Sequence, residues 1–254
     1  MSESTPTNEE RKLGGSRFLW SRPEVLSREE HDGLGLATVD RPFAFSLKCK
    51  SIPLTLTEFR TAQAFFPIVF TEGEVTVPVA VVGVHEDLNL FVTEDGQWTP
   101  HAYVPAYLRT HPFALARAAG DRVLLVIDRD APGVGENPEL PFFDGDKLTD
   151  GVRQRVEFCR AYDAETQRTQ AFCDRLVELD VLSMQSLRAE GSEQDLVRYR
   201  ALDAEKFSQL DDSVVAEFFK DGSLASMMAH MFSLDRWGTL FRMRAERSAR
   251  SQEA

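Results

Sequence analysis

Arg109 lies among Trp98, Tyr103 and Tyr107 in the segment Glu94–Leu115, EDGQWTPHAYVPAYLRTHPFAL. A planar guanidinium surrounded by rings can clamp a carboxylate or stack on an aromatic face. It can equally pair inside the protein with Asp128, which ends the apolar run RVLLVID. The internal bridge is the favoured reading. His101 and His111 flank the tyrosines, and a shared ligand or catalytic role stands against two separate polar positions. Asp128 and Asp130 close a strand-like run, and Asp144 and Asp146 close the loop after it. Carboxylates at strand ends suit acid–base or metal chemistry, but turn capping is the favoured reading here. The ligand-binding candidates are therefore Trp98, Tyr103, Tyr107, Arg109, His111 and Asp128, with no catalytic residue assigned.

Other chemistry has weaker signatures. The chain has no Gly-x-x-x-x-Gly-Lys-Ser/Thr loop and no Gly-x-Ser-x-Gly elbow. Gly133-Val134-Gly135 lacks the third glycine and following helix of a dinucleotide site, so it reads as a loop turn. His85-Glu86-Asp87 offers metal-ligand types, but neighbours on an extended chain point to opposite faces. A polar turn is expected there. Neither a metal nor a cofactor is expected.

The formal charge of −12 and the pI near 5.0 argue against sequence-independent nucleic-acid binding. No apolar run approaches the length of a membrane span, and residues 1–16 lack the apolar core of a signal peptide. Cys49, Cys159 and Cys173 have no metal-ligand spacing. On one helix Cys159 and Cys173 would stand roughly 21 Å apart. Reduced thiols in a cytoplasmic protein are expected.

Residues 1–16 read as a disordered arm. Between Arg41 and Asp128 the pattern is mainly β. Strands are expected at Phe43–Lys48, Ile68–Phe70, Val77–Val84, Asn89–Val92 and Arg122–Asp128. Thr55-x-x-Glu58 resembles a capping box that opens a short helix, which Pro67 stops. Thr93-Glu94-Asp95-Gly96 supplies a turn. After a Pro- and Gly-rich loop, Leu148, Val152, Val156 and Cys159 recur at helical steps. A turn at Glu190-Gly191-Ser192 precedes a strand at Val197–Leu202. Asp203 caps one helix, Asp211 starts another, and a final helix runs from Ser223. The Met227, Met228 and Met231 cluster reads as core rather than as a partner surface. These patterns predict an α+β fold, a β-rich N-terminal half packed with a helix-rich C-terminal half, as a single domain over 17–254 with a possible seam near 146.

Several segments together resemble the SapC family. They are Glu58-Phe59, FFPIVF (Phe65–Phe70), PVAVVGV (Pro78–Val84), NLFV (Asn89–Val92) and DGQW (Asp95–Trp98). YVPAYLRTHPFAL (Tyr103–Leu115), VLLVID (Val123–Asp128), FFDGD (Phe142–Asp146) and the C-terminal DGSLASMMAHMFSLDRWGTL complete the set. The likeness covers roughly residues 40 to 245, with Trp98–Phe113 its most specific block. The family reads Arg-Tyr-Pro-Phe where this chain has Thr110-His111-Pro112-Phe113, and the Gly133–Pro138 run resembles an insertion.

The resemblance implies a soluble bacterial accessory or binding protein associated with surface-layer protein export or outer-membrane nutrient uptake. It implies envelope export or uptake proteins as partners, with halogenase-like and cupin-like companions, and it carries no catalytic residues across. The peptide-transporter permease of the same name is a different protein. Two rival functions follow from the residues: an enzyme acting on a peptide or sugar through the aromatic and Arg109 pocket, or a homo-oligomeric scaffold built on the Met-rich helix.

Overall fold

The computed structural model describes residues 17–84, 88–118, 122–188 and 195–253. The arm at 1–16 and the turns expected at His85-Glu86-Asp87 and Glu190-Gly191-Ser192 lie outside the described residues. In chain order the first strands are β1 (Pro23–Val25), β2 (Leu34–Leu36), β3 (Ser51–Pro53), β4 (Ile68–Phe70), β5 (Pro78–Val81), β6 (Phe113–Arg117) and β7 (Val123–Asp128). β8 (Val134–Glu136), β9 (Leu140–Pro141), β10 (Phe143–Asp144), β11 (Lys147–Leu148), β12 (Leu182–Arg188) and β13 (Asp195–Leu202) follow. The helices are α1 (Arg28–His31), α2 (Phe59–Ala62), α3 (Ala106–Thr110), α4 (Asp150–Glu178), α5 (Ala204–Ser208), α6 (Asp212–Lys220), α7 (Ser223–Ser233) and α8 (Arg236–Glu253). The fold is α+β, with strands mostly in the first half and helices concentrated toward the C-terminus.

Contacts divide the chain into two units that interleave in sequence. One takes the residues up to Phe45 with Thr110–Asp163; the other takes Ser46–Arg109 with Ala164–Ala254. In the first unit the antiparallel order is β1-β7-β6, beside a second sheet, β8-β2-β9. The apolar run that forms β7 takes the central place, bonded on both sides. The early turns of α4 contribute Val152, Val156 and Cys159 to a core with Leu34, Phe113, Ile127 and Phe142, and their spacing of four and three residues keeps them on one helix stripe.

The second unit is organised by one antiparallel sheet, ordered β12-β13-β4-β5-β3. The register pairs Val69 with Val79 and Ser51 with Val81, and separately pairs Ile68 and Ile52 with Ala80. Because side chains alternate across a strand, Val69, Val79, Val81 and Ser51 share one face. Ile68, Ala80 and Ile52 share the other. α7 brings the buried His230 to β4 and β13: its Nδ1 lies 2.8 Å from the Ile68 carbonyl, and its Nε2 accepts from Leu202 N–H at 3.1 Å. Those two bonds fix a neutral ring with the proton on Nδ1.

Several expected elements differ. Phe43–Lys48 holds a 3-10 turn at Ala44–Ser46 instead of a strand. The Ser46 carbonyl there accepts from Cys49 N–H and from the Asn89 side-chain amide, which satisfies the backbone without a ladder. Asn89–Val92 is a turn, because Asn89 Oδ1 accepts from Phe91 N–H at 2.9 Å; only the bridge Val92–Trp98 is β-like. The final helix breaks into α7 and α8 at Leu234–Asp235, where bonds tighten to three-residue steps. β12 was not expected, whereas the strands at Ile68–Phe70 and Arg122–Asp128 and the Asp203 cap are present.

All three cysteines are buried and free, and burial pushes their thiols up, Cys49 to about 12 and Cys159 to about 11. Of the methionine cluster Met227 is buried in the core, whereas Met228 and Met231 are only partly buried.

Burial lowers the His230 pKa from 6.5 to about 4. The folded state therefore refuses a proton that the unfolded chain accepts, so stability falls as pH drops from about 6.5 to about 4, by about 3 kcal/mol in all. Urea denaturation at steps between pH 7 and pH 4 should show this loss. His230→Gln should lower stability at pH 7 and flatten the slope. An unchanged slope in the variant would remove His230 as its source.

Candidate functional site

In the second unit the specific aromatic segment is built around Glu58. The expected capping box forms: Thr55 N–H and Oγ1 donate to Glu58 Oε2 at 2.8 and 2.9 Å. The other oxygen, Oε1, accepts from Tyr103 OH at 3.0 Å and from Ala106 N–H at 2.7 Å. Ala106 is the first residue of α3, whose leading N–H has no carbonyl of its own helix to meet. A carboxylate from 48 residues earlier supplies the cap. Glu58 is buried, and charge-assisted bonds of this kind are what make a buried carboxylate tolerable.

The four candidates from this unit divide by exposure. Trp98 is buried, stacks on Phe91 at 5.8 Å and donates from Nε1 to the Tyr103 carbonyl at 3.1 Å. Tyr107 is also buried. Tyr103 is partly buried, and Arg109 is exposed. Arg109 donates to Tyr103 OH at 3.1 Å, with its guanidinium carbon 5.7 Å from that ring's centre. Burial, then the charge of Glu58, pushes the Tyr103 phenol up to about 12. It therefore stays protonated and bridges Arg109 to Glu58. The result is a chain of donors and acceptors that closes on backbone.

His111 and Asp128 come together in the first unit. Asp128 is buried at the end of β7, and its carboxylate accepts from Ser21 N–H at 3.1 Å and Arg22 N–H at 2.8 Å. His111 Nε2 lies 3.2 Å from Asp128 Oδ2. The imidazole stacks on Phe45 at 4.1 Å and meets Trp20 edge-on at 5.8 Å. Burial lowers the His111 pKa below its ordinary value, against the pull of the Asp128 charge. A histidine held by a carboxylate is a general-base geometry, but this one is covered by two rings and its carboxylate is occupied by backbone. Asp130 pairs with Arg22 at 3.4 Å, Asp146 pairs with Arg28, and both acids are exposed. Among the described residues no group of three His, Cys, Asp or Glu side chains can hold a metal ion.

A concave surface that the sequence did not mark lies on the Val69–Val79–Val81 face of the second unit's sheet. It encloses about 380 Å³ and has Val69, Val79, Val81, Val84, Leu196 and Val197 among its lining. Lys50, Glu72 and Arg198 add charge, and Arg198 lies 3.6 Å from Glu72. None of the six candidates lines it. Its residues come from four strands far apart in sequence, and their only local signal is the β-branched run of PVAVVGV.

The SapC family model matches residues 26–240, and the chain belongs to that family. Neither the curated proteins nor the solved structures yielded a match. Among the described residues no helix is long and apolar enough to cross a membrane.

Glu58→Ala is expected to cost about 3–5 kcal/mol, because it strands the buried N–H groups of Thr55 and Ala106. Tyr103→Phe removes a single partner and should cost about 1 kcal/mol. Chemical denaturation measures both. A loss below about 1 kcal/mol for Glu58→Ala would refute the anchoring role.

Proposed function

We propose that this SapC-family chain is a cytoplasmic binding protein that serves an envelope system, either surface-layer protein export or outer-membrane nutrient uptake. The observation that carries the binding reading is the cleft over the sheet. At about 380 Å³, with an apolar floor and a few charged groups, it falls in the size range of ligand-binding clefts. The two buried carboxylates support the same reading: Glu58 is engaged by two backbone N–H groups and the Thr55 and Tyr103 hydroxyls, and Asp128 by two backbone N–H groups and His111. A carboxylate whose oxygens are filled by the protein's own donors has little room to meet a substrate. The direction toward an envelope system rests on family membership.

Ser51 lines the cleft from the edge strand β3 and is only partly buried, so a large side chain there narrows the cleft with little disturbance of the core. Covalent crosslinking of the tagged chain in its native cells, followed by capture, is expected to recover a component of an export or uptake system. Ser51→Trp should reduce that recovery about tenfold or more, the scale of a lost interface contact, while leaving the melting temperature unchanged. Recovery of no envelope component would overturn the assignment to such a system. Undiminished recovery with Ser51→Trp would overturn the role of the cleft.

A further inference from the structure

β12 is the last strand of its sheet, and the hydrogen bonds around it reveal which of its backbone groups face outward. The register pairs Leu182 with Leu202 and continues through Met184–Arg200 and Ser186–Arg198. Leu202 N–H donates to His230 Nε2, so that group points away from β12. One step along, Asp203 N–H donates to the Val181 carbonyl, so that pair is bonded across the ladder. Bonded and non-bonded pairs alternate along antiparallel strands. Ser183, Gln185 and Leu187 therefore bond inward to β13, while Leu182, Met184 and Ser186 direct their N–H and C=O groups to the free edge.

This edge lacks the usual protections. Among the described residues no strand pairs with it. Met184, Gln185 and Ser186 are exposed, with Met184 at 45 %. Leu182–Leu187 contains no proline and no charge, and the register stays regular until a shift between Leu187 and Arg188. Natural edge strands are commonly blunted by lysine, proline or a bulge within the strand. A regular, neutral, exposed edge is a template for another strand.

The strand is complementary to itself. If a second copy approaches antiparallel, the outward-facing residues must pair with one another, and the two-fold register that overlaps all three of them is centred on Met184. Leu182 falls opposite Ser186 of the second copy, and Ser183 opposite its Gln185. The same register brings the start of the strand, flanked by Asp180, to the end carrying Arg188 of the second copy. Those two side chains are 83 % and 59 % exposed, and within each copy they also pair with Lys206 and Asp195. Opposite charges at the ends and neutral residues between favour this pairing and oppose the parallel one.

We propose that the chain forms a two-fold dimer through β12, which joins two five-stranded sheets into one. The contact is isologous, so it closes at two copies and does not propagate. Sedimentation velocity on the full chain tests it. The expected result is a dimer whose dissociation constant rises about tenfold or more in Ser186→Pro. That substitution removes an outward N–H and no ladder bond to β13. Met184→Pro should do the same, with far-UV circular dichroism unchanged in both. Should either proline variant fail to fold, charge reversal tests the same register. Asp180→Arg should weaken the dimer at low salt, and adding Arg188→Asp should restore it. A chain that stays monomeric up to about 100 µM, a dimer indifferent to both proline changes, or a charge pair without rescue would each overturn the proposal.

Discussion

A buried carboxylate has to be surrounded by donors, and the arrangement of the second unit follows from how Glu58 meets that demand. Removing an unpaired carboxylate from water costs several kcal/mol, so the chain must deliver N–H and O–H groups to both oxygens at once. Thr55 supplies two donors from the preceding turn, and the capping box that results orients α2. The remaining oxygen faces the segment between Trp98 and Arg109, whose prolines deny it a local cap of its own. Pro105 has no N–H, so Ala106 is the first donor of α3 and is taken by Glu58. Tyr103 then has to turn its hydroxyl inward, which sets its carbonyl to receive Trp98 Nε1 and its ring to carry Arg109. One carboxylate thus converts a proline-punctuated stretch into a fixed element.

Asp128 performs the corresponding task in the first unit by different means. It sits at the end of a central strand, opposite Pro23, and takes two successive N–H groups from Ser21 and Arg22. Together with the bond from Arg129 N–H to the Arg22 carbonyl, this registers β1, which begins at Pro23, against β7. His111 shares the same carboxylate and is sealed by Phe45 and Trp20. His230 completes the pattern with a ring in place of an acid, binding one donor and one acceptor from two strands. At each place a titratable side chain closes backbone valences that regular structure leaves open. The residue types that resemble chemistry in the sequence are those that such closure requires.

This explains what could and could not be read from the chain. Local determinants were legible. The capping box at Thr55 and Glu58, the Asp203 cap, the turn at Thr93–Gly96 and the apolar run of β7 each depend on neighbours a few residues away. Glu58 was visible as a cap and in the family likeness, but its second oxygen is spent on Tyr103 and Ala106, 45 and 48 residues on, and no spacing rule reaches that far. The alternation of Phe43, Phe45 and Leu47 reads as a strand, but the Ser46 carbonyl is met by Cys49 and by Asn89, 43 residues on, which no local alternation can show. β12 carries no local strand signal, because LSMQSLR holds no β-branched or aromatic residue. It is a strand because β13 pairs with it.

The same weakness bears on what β12 is for. A strand with poor intrinsic propensity, paired on one side and exposed on its outer edge, has little of its own to hold it, since strand preference is chiefly a preference for packed neighbours. Its partner β13 is engaged beyond that pairing: Arg200 reaches Thr76, Leu202 reaches His230, and Tyr199 packs against Trp237. β13 also contributes Leu196 to Tyr199 to the cleft. Whatever steadies β12 therefore steadies β13, and with it one wall of the cleft. A second strand on the free edge would give β12 the neighbour that its sequence lacks.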